Sequence, residues 1–518
     1  MLARIHSAAT LGLEARVLDV EVDAAYGLPR FTIVGLPDAT VREARERVRS
    51  ALKNGGFPLP DGTVTVNLAP ADFRKCGAAL DLPVALGLLW HCGVRAPGGP
   101  PRIFVGELGL GGEVRPVRGA LCLALAARDA GFAEIVLPAE NAAEAAAVAG
   151  VRVIPVAHLS EAVAHVLGAR PIPPALAPLD GLELRAQPDF SDIRGQAVAR
   201  RAAEICAAGG HHLLLSGPPG AGKTMLARRL PGILPRLSVS EAIDVTKVHS
   251  VAGALSPGAG LIVTPPFRAP HHGISSAGLV GGGPRPAPGE ASLAHRGVLF
   301  LDELPEFRRD VLEALRQPLE ERRLSVVRAR GAVAFPCDVL LVAAMNPCPC
   351  GFLGDPRHPC ACQPRERLRY ARKLSGPLLD RIDLHVTVAG VGWNDLREAA
   401  PSEGSDAIRA RVLAARERAA ERRPGAPGFR NGDLTAQELV QHCALDHAGT
   451  RLLENAVARV GLSVRAVHRG LRVARTIADL AQRERVNAAD LAEALSFRAS
   501  ALASSCPNEQ VDTRWGRP

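Results

Sequence analysis

Residues 213–224 read LLLSGPPGAGKT, and no other stretch constrains the chain as strongly. An apolar run leads into Gly217-Pro218-Pro219-Gly220-Ala221-Gly222-Lys223-Thr224, the phosphate-loop pattern of glycine, four residues, then Gly-Lys-Thr. Such a loop works only between a strand and a helix, because successive backbone N–H groups and a helix N-terminus together surround phosphate oxygens. Both flanks are present: 213–215 reads as a strand and 225–230 as a helix. The loop predicts ATP as ligand, with Lys223 reaching the β and γ phosphates and Thr224 offering its hydroxyl to Mg2+.

Further motifs follow in the order an α/β nucleotide sheet requires. The apolar run 298–301 ends in Asp302 and Glu303, which reads as a buried strand bringing Asp302 to magnesium and Glu303 to the water that attacks the γ-phosphate. A helix over 306–315 is expected next. The run 339–343 is another strand, and Asn346 just beyond it suits contact with the attacking water or the γ-phosphate. Arg381 precedes a further strand, and a cation there suits insertion across a subunit interface, a contribution of ~10³–10⁵ in rate. A surface ion pair is the plainer reading of Arg381.

A chain of 518 residues suggests about three domains of ~150 residues each. The first 168 residues alternate strand-like runs (15–22, 31–34, 64–68, 103–105, 135–137, 151–156) with helical ones (41–53, 80–89, 120–130), an α+β or α/β pattern with no phosphate loop or metal spacing. Proline-rich residues 169–188 read as a linker. Residues 407–423 form an arginine-rich helix, read as a solvated connector or a DNA-facing surface. From 435 to 498 the pattern is helical, with Ser463 as an N-cap, and 506–518 reads as a disordered tail.

The formal charge of +9 makes an acidic partner plausible, nucleic acid first. Residues 324–335 form two alternating halves around an Arg328-Ala329-Arg330-Gly331 tip, a hairpin whose arginines suit phosphate contacts without sequence readout. The Gly/Pro-rich stretch 253–289 is too long for a plain connection, and its His271 and His272 suit structure or function equally. No secretory leader and no long apolar span is visible, so the expectation is a cytoplasmic protein without membrane contact.

In that compartment the 11 cysteines stay reduced. Cys348, Cys350, Cys360 and Cys362 cluster around a turn-rich segment, and four thiolates satisfy tetrahedral Zn2+. Structural zinc is the preferred reading, ahead of redox-active or unliganded thiols, and His358 is an alternative ligand.

Two resemblances add to these readings. Lys75-Cys76-Gly77-Ala78-Ala79-Leu80-Asp81-Leu82-Pro83 and the run from Val105 to Gly119 resemble the proteolytic domain of Lon-type proteases. Ala79 stands where that family has its nucleophilic serine and Leu121 where it has the activating lysine, so covalent catalysis is absent and an interaction role is implied. The runs FRAPHHGISSAGLVGGG, PGEASLAHRGVLFLDELPEF, AAMNPCPCG, LLDRIDLHV and SVRAVHRGLRVARTIADL resemble the magnesium-chelatase-related AAA+ family, in its branch with a Lon-like N-terminal domain. This resemblance implies a multidomain α/β protein: a Lon-like α+β domain (1–168), the linker, a P-loop AAA+ core (189–395), a helical lid (396–505) and the tail. It also implies a homo-hexameric ATPase ring in which the hairpin faces the pore. Single-stranded or branched DNA is the implied partner, and helicase activity in branch migration the implied function. In the lid, Arg465 matches the arginine that approaches the γ-phosphate, with Arg469 one turn on as the other candidate. A chelatase-like motor for metal insertion or partner remodelling is the alternative.

Overall fold

The computed structural model describes residues 2–95, 98–176, 187–283, 286–328, 331–390, 402–426 and 428–505. Most of the expected linker (177–186), Arg330 at the hairpin tip, residues 391–401 and the expected tail 506–518 lie outside the described residues.

The N-terminal part is mixed α+β. Strands Ala3–Leu11 and Glu14–Ala25 form an antiparallel hairpin, Thr63–Ala69 pairs antiparallel with the second, and Arg30–Val34 closes the sheet in parallel. Helices Ala39–Asn54 and Asp81–His91 bury Val41, Val48, Leu52, Leu82, Leu86 and Leu89 in the same apolar core as Val20, Val22, Val66 and Leu68. A second sheet of parallel strands Arg102–Phe104, Glu134–Pro138 and Arg152–Val156 carries a separate core with helix Ala120–Asp129. The strand Ala3–Leu11 is an addition to the sequence expectation. Its His6 and Ser7 obscure the apolar pattern, but His6 Nδ1 lies 2.7 Å from Asp19 and Ser7 Oγ donates to Phe104 O at 2.8 Å.

The central part is a five-stranded parallel sheet in the order Phe267–Arg268, Val298–Leu301, Leu340–Met345, Leu213–Ser216, Leu384–Thr387. Side chains alternate strictly between two covered faces. Leu213, Leu215, Val298, Phe300, Val342 and Leu384 join the core on one face, and Leu214, Leu299, Leu301, Leu341 and Ala343 that on the other. Two-sided burial explains why these strands read as continuous apolar runs.

The helix expected over 306–315 forms, but begins three residues later. Glu303 has a left-handed backbone (φ 53°), Leu304–Glu306 is one 3-10 turn around Pro305, and Arg308 is extended before the helix Arg309–Ala314 begins. Pro305, the second residue of the short turn, and the strained Glu303 set the chain on a separate turn after the acidic pair, and the helix starts beyond the extended Arg308. The hairpin forms from Arg323–Arg328 and Gly331–Pro336, antiparallel, with Arg328 opposite Gly331.

The C-terminal part, the expected lid, comprises helices Ser405–Glu421, Ala436–His442, His447–Val460, Val464–Leu480 and Ala488–Ser505. The arginine-rich first helix is neither connector nor free surface. Its Ile408, Val412 and Ala415 enter the core of the central sheet, and three of its four arginines are tied within the chain: Arg411 to Glu204 at 2.6 Å, Arg416 to Ala207 O at 2.7 Å, Arg409 to Gly232 O at 2.9 Å. Deeper in the lid, Arg475 is fully buried and donates to Asp479, Glu484 O and Arg483 O, at 2.9, 2.7 and 2.6 Å. Among the described residues no helix is long and apolar enough to cross a membrane.

Candidate nucleotide site

Parallel strands place their C-terminal ends along one edge of the sheet, and a ligand between them meets whatever follows each strand. Here the loop 217–222 follows Ser216, Asp302 follows Leu301, and Asn346 follows Met345, on three neighbouring strands. Gly217 N donates to Met345 O at 3.2 Å, and a β-carbon at Gly217 would collide with Val388 O. Only glycine lets the loop leave the sheet at that point.

The helix Lys223–Ile233 starts at the end of the loop, so Lys223 and Thr224 point back over the strand ends. Lys223 is buried, and its ammonium donates to Gly217 O at 2.6 Å, Pro218 O at 2.9 Å and Asn346 Oδ1 at 3.2 Å. Burial pushes its pKa below the ordinary value, and the Asp302 carboxylate draws it back up. Thr224 Oγ1 donates to Asp302 Oδ2 at 2.7 Å. This hydroxyl and carboxylate, in contact across the strand ends, are a hard oxygen pair of the kind that holds Mg2+ beside phosphate. Four residues expected to act together thus meet as two bonded pairs at the strand ends, Lys223 with Asn346 and Thr224 with Asp302.

Glu303 takes a different direction from Asp302. Its side chain is 58% exposed, and His272 Nδ1 stands 3.3 Å from Glu303 Oε2. The His271 and His272 rings lie 4.0 Å apart. His272 was not distinguished from His271 in the sequence, because nothing local ties either histidine to Glu303. The connection comes from the fold: Phe267–Arg268 pairs with Val298–Leu301, so the residues after one strand meet the residues after the other. A bidentate bond from Arg268 to Glu290, at 2.6 and 2.7 Å, anchors the glycine-rich insert there.

The other candidates make their contacts with other partners. Arg381 donates to Pro377 O at 2.5 Å and pairs with Glu320 of its own chain. Arg465 is exposed in the first turn of Val464–Leu480, whose N-cap is Ser463, accepting from Ala466 N at 3.2 Å. Arg469 lies 3.7 Å from Asp383, which is half-buried beside the buried His211. Arg328 ends its hairpin strand, and Arg330 lies outside the described residues. Cys348, Cys350, Cys360 and Cys362 converge, with all four sulfurs within 4.8 Å of one another. His358 is turned elsewhere, 3.8 Å from Asp355 and 5.0 Å between ring centres from Phe352.

In the N-terminal part, Ala79 O accepts from Gly106 N at 2.8 Å and Leu121 is fully buried in an apolar core. Neither position carries a group that can attack a carbonyl or move a proton.

Comparison with known proteins agrees with this geometry. Three family models match in series: subunit ChlI of Mg-chelatase over residues 20–141, magnesium chelatase subunit ChlI over 189–396, and the ChlI C-terminal model over 402–498. An uncharacterized protein, YifB, of Salmonella typhimurium is 43% identical over 501 residues, 96% of this chain and 97% of that one. The competence protein ComM of Haemophilus influenzae is 42% identical over 505 residues, again 96% and 97% of the two chains. A local likeness in the N-terminal region, 30% identity over 148 residues and 26% of each chain, relates it to Lon protease 2 of Bacillus subtilis. With near-complete coverage of such relatives, and with the phosphate loop, acidic pair and asparagine assembled on one sheet edge, the chain belongs to the ComM/YifB family of magnesium-chelatase-related AAA+ ATPases.

Proposed function

We propose that this protein is an ATP-hydrolysing, ring-forming DNA motor, a helicase that promotes branch migration during natural transformation or recombination. The observation that carries the reading is the contact of Lys223 with Asn346 and of Thr224 with Asp302, with a hairpin rooted between Asp302 and Asn346 in the same fold. The name of the Haemophilus relative points the same way, toward competence.

In the ATP-bound state Lys223 exchanges the carbonyls of Gly217 and Pro218 for phosphate oxygens, and the loop N–H groups and the helix N-terminus take the rest of the charge. Mg2+, when bound by Thr224 and Asp302, neutralises charge on the phosphates. Glu303 accepts a proton from the attacking water, and Asn346 orients that water or the γ-phosphate. Arg381 completes the site of a neighbouring subunit in a hexamer, leaving its Glu320 partner to do so, and Arg465 or Arg469 reports on the γ-phosphate from the lid. Arg328 and Arg330 grip backbone phosphates in the pore, and the protein works in the cytoplasm.

The test is ATPase rate and DNA affinity across a salt series, with single-stranded, duplex and branched DNA, for the wild type and Arg328→Ala/Arg330→Ala. Loss of two phosphate contacts flattens the salt dependence by up to ~2 units of slope and spares basal hydrolysis. The second reading, a chelatase-like motor for metal insertion or partner remodelling, draws on the three matching models. It requires that no DNA stimulate hydrolysis, which would overturn the DNA motor.

A further inference from the structure

The four-thiol cluster is built into the wall of the nucleotide site. Cys348 Sγ lies 3.3 Å from Cys350 Sγ and 3.6 Å from Cys360 Sγ, and Cys350 Sγ lies 3.6 Å from Cys360 Sγ. Tetrahedral zinc with Zn–S bonds of about 2.3 Å places its sulfurs about 3.8 Å apart, whereas a disulfide needs about 2 Å. The spacing matches the corners of one metal site and no bridged pair. Cys350 N also donates to Cys362 Sγ at 3.2 Å. Cys348 is fully buried and Cys362 nearly so, which shields two corners from solvent.

What the cluster touches gives it a role. Cys348 is two residues beyond Asn346, the acceptor of the Lys223 ammonium. Gly351, inside the loop that the cysteines close, has φ +87°, and its backbone presses on the phosphate loop. A β-carbon there would lie 2.6 Å from Pro219 Cδ and 3.9 Å from Asn346 Cγ. Farther along the loop, Arg357 packs so closely on Gly390 that a β-carbon at Gly390 would collide with its guanidinium, and that same position lies 3.9 Å from Pro218 Cγ. The loop therefore backs Pro219 directly, and Arg357 packs on Gly390, which lies beside Pro218. Between its cysteine pairs the segment GFLGDPRHP offers few apolar side chains, so its shape depends on a cross-link.

We propose that Cys348, Cys350, Cys360 and Cys362 hold one zinc ion, and that the zinc-closed loop clamps the nucleotide site by seating Gly351 on Pro219 and fixing Asn346. Zinc takes no part in the chemistry on phosphate. Its loss frees the backing of Pro219 and lets Asn346 drift from Lys223. The clamp rests on the reading of residues 217–224 as an ATP site, and zinc content is measured independently of that reading.

The test uses the full chain, expressed without a polyhistidine tag and purified without chelator. Elemental analysis should find about one zinc per chain in the wild type and none in Cys348→Ser/Cys350→Ser. Protein stripped by chelator should lose about 10- to 100-fold in kcat, since displacement of positioning groups by about 1 Å has that effect, and should recover on adding zinc alone. Gly351→Ala separates the clamp from mere folding. It should keep its zinc and lose only a few degrees of melting temperature, the strain of alanine at a left-handed φ, while its KM for ATP rises, because its new methyl group pushes on Pro219. Wild type without zinc, stripped protein hydrolysing at the full rate, or zinc-loaded Gly351→Ala with wild-type KM and kcat would each overturn the proposal. Failure of the wild type to hydrolyse ATP would remove the nucleotide reading and the clamp together, leaving the zinc content as a separate result.

Discussion

Lys223→Ala and Glu303→Gln should separate ATP binding from ATP hydrolysis, and the geometry sets the size of each effect. The Lys223 ammonium is held by oxygens at 2.6, 2.9 and 3.2 Å, two of them carbonyls of the loop itself. A hydrogen bond to a charged group contributes about 1.5–3 kcal/mol. Because the lysine must give up those carbonyls to reach phosphate, the lower end of that range applies, and contacts to the β and γ phosphates come to about 3 kcal/mol. At 1.4 kcal/mol per tenfold, Lys223→Ala should weaken ATP binding about 100-fold. Glu303 is 58% exposed and touches His272 across 3.3 Å, so its isosteric replacement by glutamine perturbs little else. A change of about 0.5 kcal/mol, near a factor of two in affinity, is the expected ceiling for Glu303→Gln. Loss of a positioned base lowers the chemical step by about 10²–10⁴-fold. Equilibrium titration with a fluorescent ATP analogue gives the first quantity and phosphate release the second. Wild-type affinity in Lys223→Ala, or wild-type turnover in Glu303→Gln, would refute the assignment of roles.

Arg381→Ala and Lys223→Ala subunits, each inactive alone, should regain hydrolysis when mixed, because intact halves of a site then meet across an interface. Phosphate release from rings proven to be mixed is the readout, and absence of rescue there counts against action in trans. Gly217→Ala should abolish nucleotide binding while the fold persists, since its methyl group meets Val388 O and forces the loop off the sheet edge; unchanged affinity would mean that the loop yields freely. Burial pushes His295 and His385 down to about 4, below the value of about 6.5 expected in the unfolded chain. Between those values the unfolded chain binds more protons, so stability is greatest above pH 6.5 and falls as the pH drops toward 4, by up to ~1.4 kcal/mol per pH unit for each histidine. Urea midpoints at pH 7 and 5 check this: His295→Gln should flatten the difference, and an equal slope in the variant would exclude His295 as a source.

Where the sequence was legible, one short segment carried the whole physical signal. The loop 217–224 needs its residues in one order, and Val298–Leu301 is an uninterrupted apolar run stopped by two carboxylates. The strand Ala3–Leu11 was hidden because the partners that satisfy His6 and Ser7 are Asp19 and Phe104, visible only after folding. The helix Ser405–Glu421 was misread for a related reason. Its arginines look unneutralised in a local window, yet Arg411 finds Glu204 and Arg416 finds Ala207 O, each two hundred or so residues away. The approach of His272 to Glu303 depends on which strands are neighbours in the sheet, and strand order leaves no local mark.

Asp338 sits between the hairpin and the strand that delivers Asn346. Burial alone would raise its carboxyl, but Arg430, Arg322 and Arg296 hold it well below the usual carboxylate range. Arg430 of the lid donates to it at 2.6 Å and Arg296, just ahead of the acidic strand, at 2.9 Å. Arg322 at the hairpin root stands 3.7 Å away and also pairs with Asp433 of the lid. In mechanical terms, one carboxylate is the common pin of three levers: hairpin, nucleotide strands and lid. A force applied at the hairpin tip is therefore resisted at its root by ion pairs to the lid, and a rotation of the lid strains the hairpin root through the same bonds.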